Sequence, residues 1–404
     1  MRITTTFNRL LCLHGAFVRA VAFSAVAVIV TVARRARRHR CPRCTYSTHA
    51  RYDTHVAEWR HVPLGKWQVR IRAEVARIEC PRHGVITEAI PWAITDSRFT
   101  LDFEEMTAWL AREMNQTAVT RLMHIAWVTV GRIIERVVER KIDHKRLDNL
   151  YVIGLDEVSY RKGQKYLSVV ANHETGEPVW IGEGNSRQTV ATFFRELGEE
   201  RARRLKVVSI DMSGAYIEEV RAQAPQAQIA FDPFHVVKLA SDAVSEVRRS
   251  EAREVKGSPE AKVLKGSRWA LLKAPEKLKP EENAKLSEVA KLNAGVYRAY
   301  LLKEELRTLY QCETVQEAGT HLEGWLGWAS RSRLRPFVRL ARTVRKHRDG
   351  ILAAIRLGVS NGRMEGINNK IGVIKHRAYG FHSAAALIAM VFLCCTKLAI
   401  NLPI

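Results

Sequence analysis

LYVIGLDEVSYRKGQKYLSVVANHETGEPVWIGEGNSRQTVATFFRELGEERARRLKVVSIDMSGAYIEEVRAQAPQAQIAFDPFHVV, residues 150–237, alternates strand-like and helix-like patterns. LYVIGLDEVS is an apolar run ending in acids, and QKYLSVVAN and EPVWIGEG follow with strand character, joined by a turn at Glu174-Thr-Gly. Ser186 is placed to N-cap an amphipathic helix running through Phe193, Phe194 and Leu197. KVVSID then reads as a strand, Ala215 to Gln223 as a helix and AQIAFD as a strand. Asp232-Pro233 caps and starts another helix, because proline is tolerated at the first helical position. The predicted order is β-β-β-α-β-α-β-α.

That is the order of a ribonuclease-H-like mixed-sheet core, with residues 149–240 as its first part. Downstream, 241–330 turns helical, rich in Lys and Glu and short of strand formers, which predicts an α-helical insertion. Residues 331–404 then supply the C-terminal part of the core: a helix from Pro336 to Leu357, a break at SNGR (360–363), and a helix from Met364 to about Ala378. Upstream, 96–148 reads as helices Phe103 to Met114, Ala118 to Ile125 and Trp127 to Arg140. The short break near Ile125 makes the last pair a helix-turn-helix, although a plain helical linker fits the spacing equally well. Residues 1–95 read as strands, including AVAVIVTVA at 25–33, and carry a CxxC…CxxH set.

The 65 Lys+Arg against 42 Asp+Glu give a formal charge of +23 in a chain that is 47% hydrophobic, so it can build cores and is not a disordered basic tail. Such an excess points to a polyanionic partner, nucleic acid before a membrane surface. Seven scattered cysteines (12, 41, 44, 80, 312, 394, 395) argue against a secreted disulfide scaffold and for the cytoplasm. The apolar stretch Ala16 to Ala33 is followed, not preceded, by its arginines, unlike a signal peptide. The run Ala384 to Cys395 falls short of the ~20 residues that span a bilayer, so a buried helix is expected.

Asp156 and Asp211 each end a strand, and Glu365 opens a helix far downstream. Carboxylates converging at strand ends can hold hard cations such as Mg²⁺ or Mn²⁺, and a two-ion site suits in-line phosphoryl transfer. On the last helix Glu365, Asn368, Asn369, Gly372, Lys375 and His376 share one face, with Ile367, Ile371, Ile374 and Ala378 opposite. Asp232 is a secondary candidate, because capping already explains an acid before proline. Glu157 follows Asp156 and should point to the other side of its strand.

Cys41-Pro-Arg-Cys44 and Cys80-Pro-Arg-His83 form two knuckles that together make a Cys₃His zinc set, with the intervening chain able to cross between them as a hairpin. His49, His55 and His61 lack partner spacing and read as loop or surface residues. Arg335, Arg339, Arg342 and Lys346 make one stripe along a helix, thickened by Arg331, Arg333, Arg345 and Arg348, suited to DNA phosphates. In the helix-turn-helix, Arg121, Arg132 and Arg136 are expected to be exposed and to contact DNA, as are Asn369 and Lys375 beside Glu365. Trp269 reads as core of the insertion, with stacking on an unpaired base as the alternative.

Several of these segments, LYVIGLDEVSYRKGQKYLSVV, VVSIDMSGAY, IAFDPFHVVKLA, RWALLK, WASRSRLRPFVRLARTVRKHRDGIL and SNGRMEGINNKIGVIKHRAYGFHS, closely resemble the ISL3 family of insertion-sequence transposases, members of the DDE group. The resemblance runs from about residue 3 to the C-terminus. It implies that Asp156, Asp211 and Glu365 are the DDE residues, that two Mg²⁺ are the cofactor, and that an N-terminal zinc module is present. It further implies binding to the element's terminal repeats and target DNA, homo-oligomeric synapsis of paired ends, and a cytoplasmic, nucleoid-associated protein. The rival readings are a non-catalytic zinc and helix-turn-helix regulator, or a structure-specific nuclease on the same core.

Overall fold

The computed structural model describes residues 2–161, 163, 165–358, 362–378 and 380–402. The chain forms two compact units, Met1–Asp143 with Arg377–Ile404, and His144–His376.

The first unit opens with helix α1 (Ile3–Leu11), which the strand-like pattern of this region did not predict. Strands β1 (Ala16–Phe23) and β2 (Ala27–Arg34) follow, then the two-residue pair β3 (His39–Arg40) and β4 (Ser47–Thr48), and then β5 (Asp53–Leu64), β6 (Trp67–Cys80) and β7 (Gly84–Thr87). The main sheet runs β1-β2-β6-β5, with β7 added to β6. Alternation sets its two faces: Val69, Ile71, Ala73 and Val75 of β6 are buried against Val28, Val30 and Val32 of β2, while Arg70, Arg72 and Glu74 face out. Helices α2 (Leu101–Glu113), α3 (Gln116–Met123) and α4 (Trp127–Lys141) come next, close to their predicted bounds. Thr100 and Asn115 cap the first two through hydrogen bonds from Phe103 and Ala118 N–H. His124 ends α3 in the left-handed conformation, which makes the tight turn into α4. The five apolar positions of α4, Val130, Ile133, Ile134, Val137 and Val138, are all buried, as their spacing requires.

In the second unit, β8 (Val152–Arg161), β9 (Lys165–Asn172) and β10 (Glu177–Glu183) form an antiparallel meander. They are followed by α5 (Arg187–Leu197), the one-turn α6 (Glu199–Ala202), β11 (Val207–Ile210), α7 (Gly214–Gln223), β12 (Gln228–Phe231) and α8 (Pro233–Glu254). The sheet order is β10-β9-β8-β11-β12, with β11 parallel to both β8 and β12. Ser186 and Asp232 cap α5 and α8 as expected. The insertion is helical throughout: α9 (Pro259–Gly266), α10 (Arg268–Leu272), α11 (Pro280–Leu292), α12 (Ala294–Thr308) and α13 (Val315–Arg331), closed around Trp325, whose indole N–H donates to Leu302 O at 2.8 Å.

The helix expected from Pro336 to Leu357 is two, α14 (Arg335–Lys346) and α15 (Arg348–Leu357), broken at His347, whose ring packs edge-on to Phe231. Gly350 allows α15 onto β12, since a Cβ there would lie 2.4 Å from the Phe231 ring. The predicted SNGR break falls partly on residues 359–361, outside the described residues. The last two helices are α16 (Gly362–Arg377) and α17 (Ala384–Cys395). Arg377–Ile404, read by pattern with the C-terminal part of the core, group by contacts with the first unit, where α17 packs on α4 and α2. The cause is its apolarity: Leu387, Val391 and Leu393 are wholly buried. Among the described residues no helix is long and apolar enough to cross a membrane.

Candidate functional site

Asp156 sits inside β8, and the pairing of β11 with β8 matches Ser209 to Gly154. The same register, continued two residues, sets Asp211 beside Asp156. Asp232 directly follows the next parallel strand, β12. Helix α16 closes the arrangement: a cavity of about 470 Å³ is lined by Asp156, Glu157, Asp232, Phe234, Glu365, Asn368 and Asn369. Asp211 is not part of that lining, but its charge reaches Glu157 and His235.

Several hydrogen bonds fix these groups. Asp156 Oδ1 accepts from Glu157 N–H at 2.8 Å, and its Oδ2 accepts from the Asn368 amide at 2.6 Å. Because the amide nitrogen must face a carboxylate, the Asn368 oxygen points away, where it is enclosed without a partner among the described residues. Asp211 Oδ1 accepts from Ser213 N–H at 2.9 Å. Asp232 caps α8 through Phe234 N–H at 3.0 Å and bonds the His235 ring at 2.8 Å, so the capping explanation holds while the residue also faces the cavity. Helix α16 is tethered by Arg363 to the carbonyls of His173 and Glu174 and by Lys375 to the Ser159 carbonyl. Lys375, expected to meet DNA, thus donates to a carbonyl of β8.

The carboxylates crowd one another. Burial pushes the Asp156 carboxyl up, against the hydrogen bonds from Glu157 N–H and Asn368. Burial also raises Glu157, reinforced by the charges of Asp211 and Asp156. His235 is raised first by its bond to Asp232, with Asp156 and Asp211 adding to the effect. Alternation along β8 assigned Glu157 to the far side, yet it lines the same cavity, its carboxylate held at 2.9 Å by Asn185. An all-oxygen donor set with mutually destabilised charges suits a hard dication, which would offset them.

In the first unit Cys41, Cys44, Cys80 and His83 offer ligand atoms that all lie within 4.8 Å of one another. Cys44 and Cys80 Sγ are 3.6 Å apart, and His83 Nδ1 is 3.6 Å and 3.5 Å from Cys41 and Cys80 Sγ. Tetrahedral bonds of ~2.3 Å to sulfur and ~2.0 Å to nitrogen demand edges of ~3.5 to 3.8 Å, which these three distances match, so the cluster could hold zinc. Burial raises the Cys80 thiol, but the backbone N–H groups of Arg82 and His83 and the His83 ring outweigh it and lower the group to about 6, favouring the thiolate a metal needs. The hairpin β5–β6 carries the chain between the knuckles. His61, expected at the surface, lies in β5 at 5% exposure, bonded to Thr100 Oγ1 at 2.9 Å.

Arg121 and Arg132 are exposed. Arg136 is not a free surface group: it donates to Glu104, a wholly buried carboxylate on α2, at 2.9 Å. A buried charge needs a partner, and Arg136 supplies it. All four stripe residues, Arg335, Arg339, Arg342 and Lys346, are exposed opposite the buried Phe337, Leu340, Ala341 and Val344, with Arg339 pairing Glu246. Of the arginines that follow Ala33, Arg34 is bound to the buried Glu88 at 2.7 Å and Arg35 to Ala16 O at 3.0 Å. Trp269, read as insertion core, is 61% exposed, with the Arg268 guanidinium 5.1 Å from its ring centre.

A helix-turn-helix followed by an acid-lined cavity is compatible with a transposase, and comparison with known proteins shows the family. Residues 153–391 match a family model described as Transposase, of the DDE type in ISL3, and residues 88–138 match the helix-turn-helix domain of transposase family ISL3. The transposases for insertion sequence element IS1557 from two Mycobacterium tuberculosis strains, CDC 1551 / Oshkosh and H37Rv, are each 39% identical over 361 residues, 83% of this chain and 81% of theirs. The transposase for insertion sequence element IS1001 from Bordetella parapertussis is 30% identical over 333 residues, 82% of each chain. The chain belongs to the ISL3 family of transposases.

Proposed function

We propose that the protein is a DNA transposase that binds the ends of its insertion sequence, cleaves there and joins the freed 3′-hydroxyl to target DNA. The observation that carries this reading is the meeting of Asp156 and Glu365, far apart in sequence, at one cavity, with Asp211 set beside Asp156 by strand register. The sheet order, three antiparallel strands beside two parallel ones, supports a ribonuclease-H-like core. Asp156, Asp211 and Glu365 are the residues that would hold two Mg²⁺ or Mn²⁺. Such ions, when bound, supply activation of the attacking oxygen and stabilisation of the leaving one. Asn368 holds the Asp156 carboxylate in one orientation, and Arg363 and Lys375 hold the helix bearing Glu365. Water breaks a phosphodiester at the element's end, and the 3′-hydroxyl so released attacks a target phosphodiester, one P–O bond forming as one breaks.

Zn²⁺ in the Cys41, Cys44, Cys80 and His83 set would be structural. Arg121 and Arg132 serve the helix-turn-helix on DNA, the stripe Arg335, Arg339, Arg342 and Lys346 takes phosphates, Asn369 reaches the bound strand, and exposed Trp269 offers a face to an unpaired base. The protein works as a homo-oligomer on paired ends, on the nucleoid in the cytoplasm. The test incubates purified protein with Mg²⁺ and labelled duplex bearing the element's terminal repeat. Asp156→Ala, Asp211→Ala and Glu365→Ala should each abolish cutting and joining while end binding persists; undiminished activity in any of them removes that residue from the triad. Cleavage without joined product would favour a nuclease.

A further inference from the structure

Phe234 lines the acid cavity with 62% of its surface exposed, whereas Phe193, Phe231 and Phe337 of the same unit are at most 3% exposed. It is the second residue of α8, held there by Pro233 and by its N–H bond to Asp232 at 3.0 Å. Among the described residues its one ring contact is the edge of His235, 5.5 Å between centres and 80° between planes, so no ring lies stacked on either face. A flat apolar group fixed at the rim of a cavity walled by Asp156, Glu157, Asp232 and Glu365 has little to offer a phosphate. It suits the one apolar plane that travels with a phosphodiester, the nucleobase.

We propose that Phe234 stacks on a nucleobase of the DNA strand at the cut position and so holds the adjoining phosphodiester against the acids. The proposal rests on reading the cavity as the phosphoryl-transfer site. Stacking of this kind tolerates any base, since each has a π-face, which fits a site that must act on both element end and target. Phe234 is then a substrate-positioning residue, and its absence should slow the reaction without weakening end recognition, which belongs to the helix-turn-helix.

The test uses the full chain with Mg²⁺ and end-bearing duplexes carrying 2-aminopurine at successive positions across the cut. Wild type should change the emission of one position on binding; Phe234→Ala should lose that change and cut about tenfold more slowly, about 1.4 kcal/mol of transition-state stabilisation. Phe234→Trp should restore both, and end affinity should be equal in all three. The ring is largely exposed, so its removal leaves the core intact. Asp156→Ala should keep the emission change and lose cutting. If Asp156→Ala still cuts, the reading of the acids fails. If it does not, and Phe234→Ala either cuts at the wild-type rate or gives the wild-type emission pattern, the stacking proposal alone is overturned.

Discussion

Arg136→Ala separates a structural arginine from a DNA-contacting one, because the two roles predict opposite readouts. Glu104 is wholly buried and is held by Arg136 Nε at 2.9 Å, by Arg140 at 3.4 Å and by the Ser97 hydroxyl at 2.8 Å. Stripping a buried ion of its partner costs ~3 to 5 kcal/mol. Arg140 and Ser97 remain, so a loss of about 2 to 3 kcal/mol is expected. An exposed arginine such as Arg132 should cost no more than ~0.5 kcal/mol. In a unit of this size each kcal/mol corresponds to ~2 to 4 °C in Tm, so Arg136→Ala should melt about 4 to 12 °C below wild type and Arg132→Ala no more than about 2 °C below it. Native-state hydrogen exchange over α2 and α4 measures this without requiring both units to unfold together. Glu104→Ala and the double variant complete a cycle whose coupling should be about 2 kcal/mol. If Arg136→Ala leaves exchange unchanged and instead lowers affinity for the terminal repeat, the structural assignment is refuted.

Three further outcomes are expected. One zinc per chain should be found by native mass spectrometry and be lost in Cys44→Ser, with a lower Tm; a full chain that binds none, or melts identically after chelation, contradicts the Cys₃His centre. Burial lowers His61 to about 4 from the usual 6.5, so the fold favours the neutral ring: the stability it contributes is complete above about pH 6.5 and is lost as pH falls toward 4. That contribution is about 3 kcal/mol, and exchange measured from pH 7 to 4 should show a shallower decline in His61→Gln; an unchanged slope refutes the assignment. Arg342→Ala and Lys346→Ala should each reduce the slope of log K against log salt by ~0.9 and weaken binding to all sequences alike; sequence-selective loss would mean that the stripe reads bases.

The second unit was largely legible because its strands and helices alternate in period and are punctuated by caps, Ser186 and Asp232, that sequence shows directly. Asp211 and Asp232 do follow strand ends, as read, whereas Asp156 lies inside β8, which runs on to Arg161. What pattern could not supply was the identity of partners across long separations. Arg136 looks like any helical arginine until Glu104, on another helix, is found buried beneath it. Glu157 obeys alternation, but a long side chain held by Asn185 still reaches the cavity. Phe234 and His235 were hidden inside a capping motif, though a histidine three residues after the cap sits on the same turn and was a usable sign. Helix α1 was missed because short apolar elements among strands carry too few turns to reveal their period.

The docking of α17 on α2 and α4 has a consequence for how the chain comes into being. A protein is made from its N-terminus, so residues 2–143 are translated ahead of residues 144–376, yet their unit lacks Leu387, Val391 and Leu393 until these too have left the ribosome. The core of this unit is thus closed only after residues 144–376 have been translated. A product terminated before Ala384 would carry the helix-turn-helix without helix α17. The topology therefore works against a stable fragment that holds the helix-turn-helix without the acid-lined cavity.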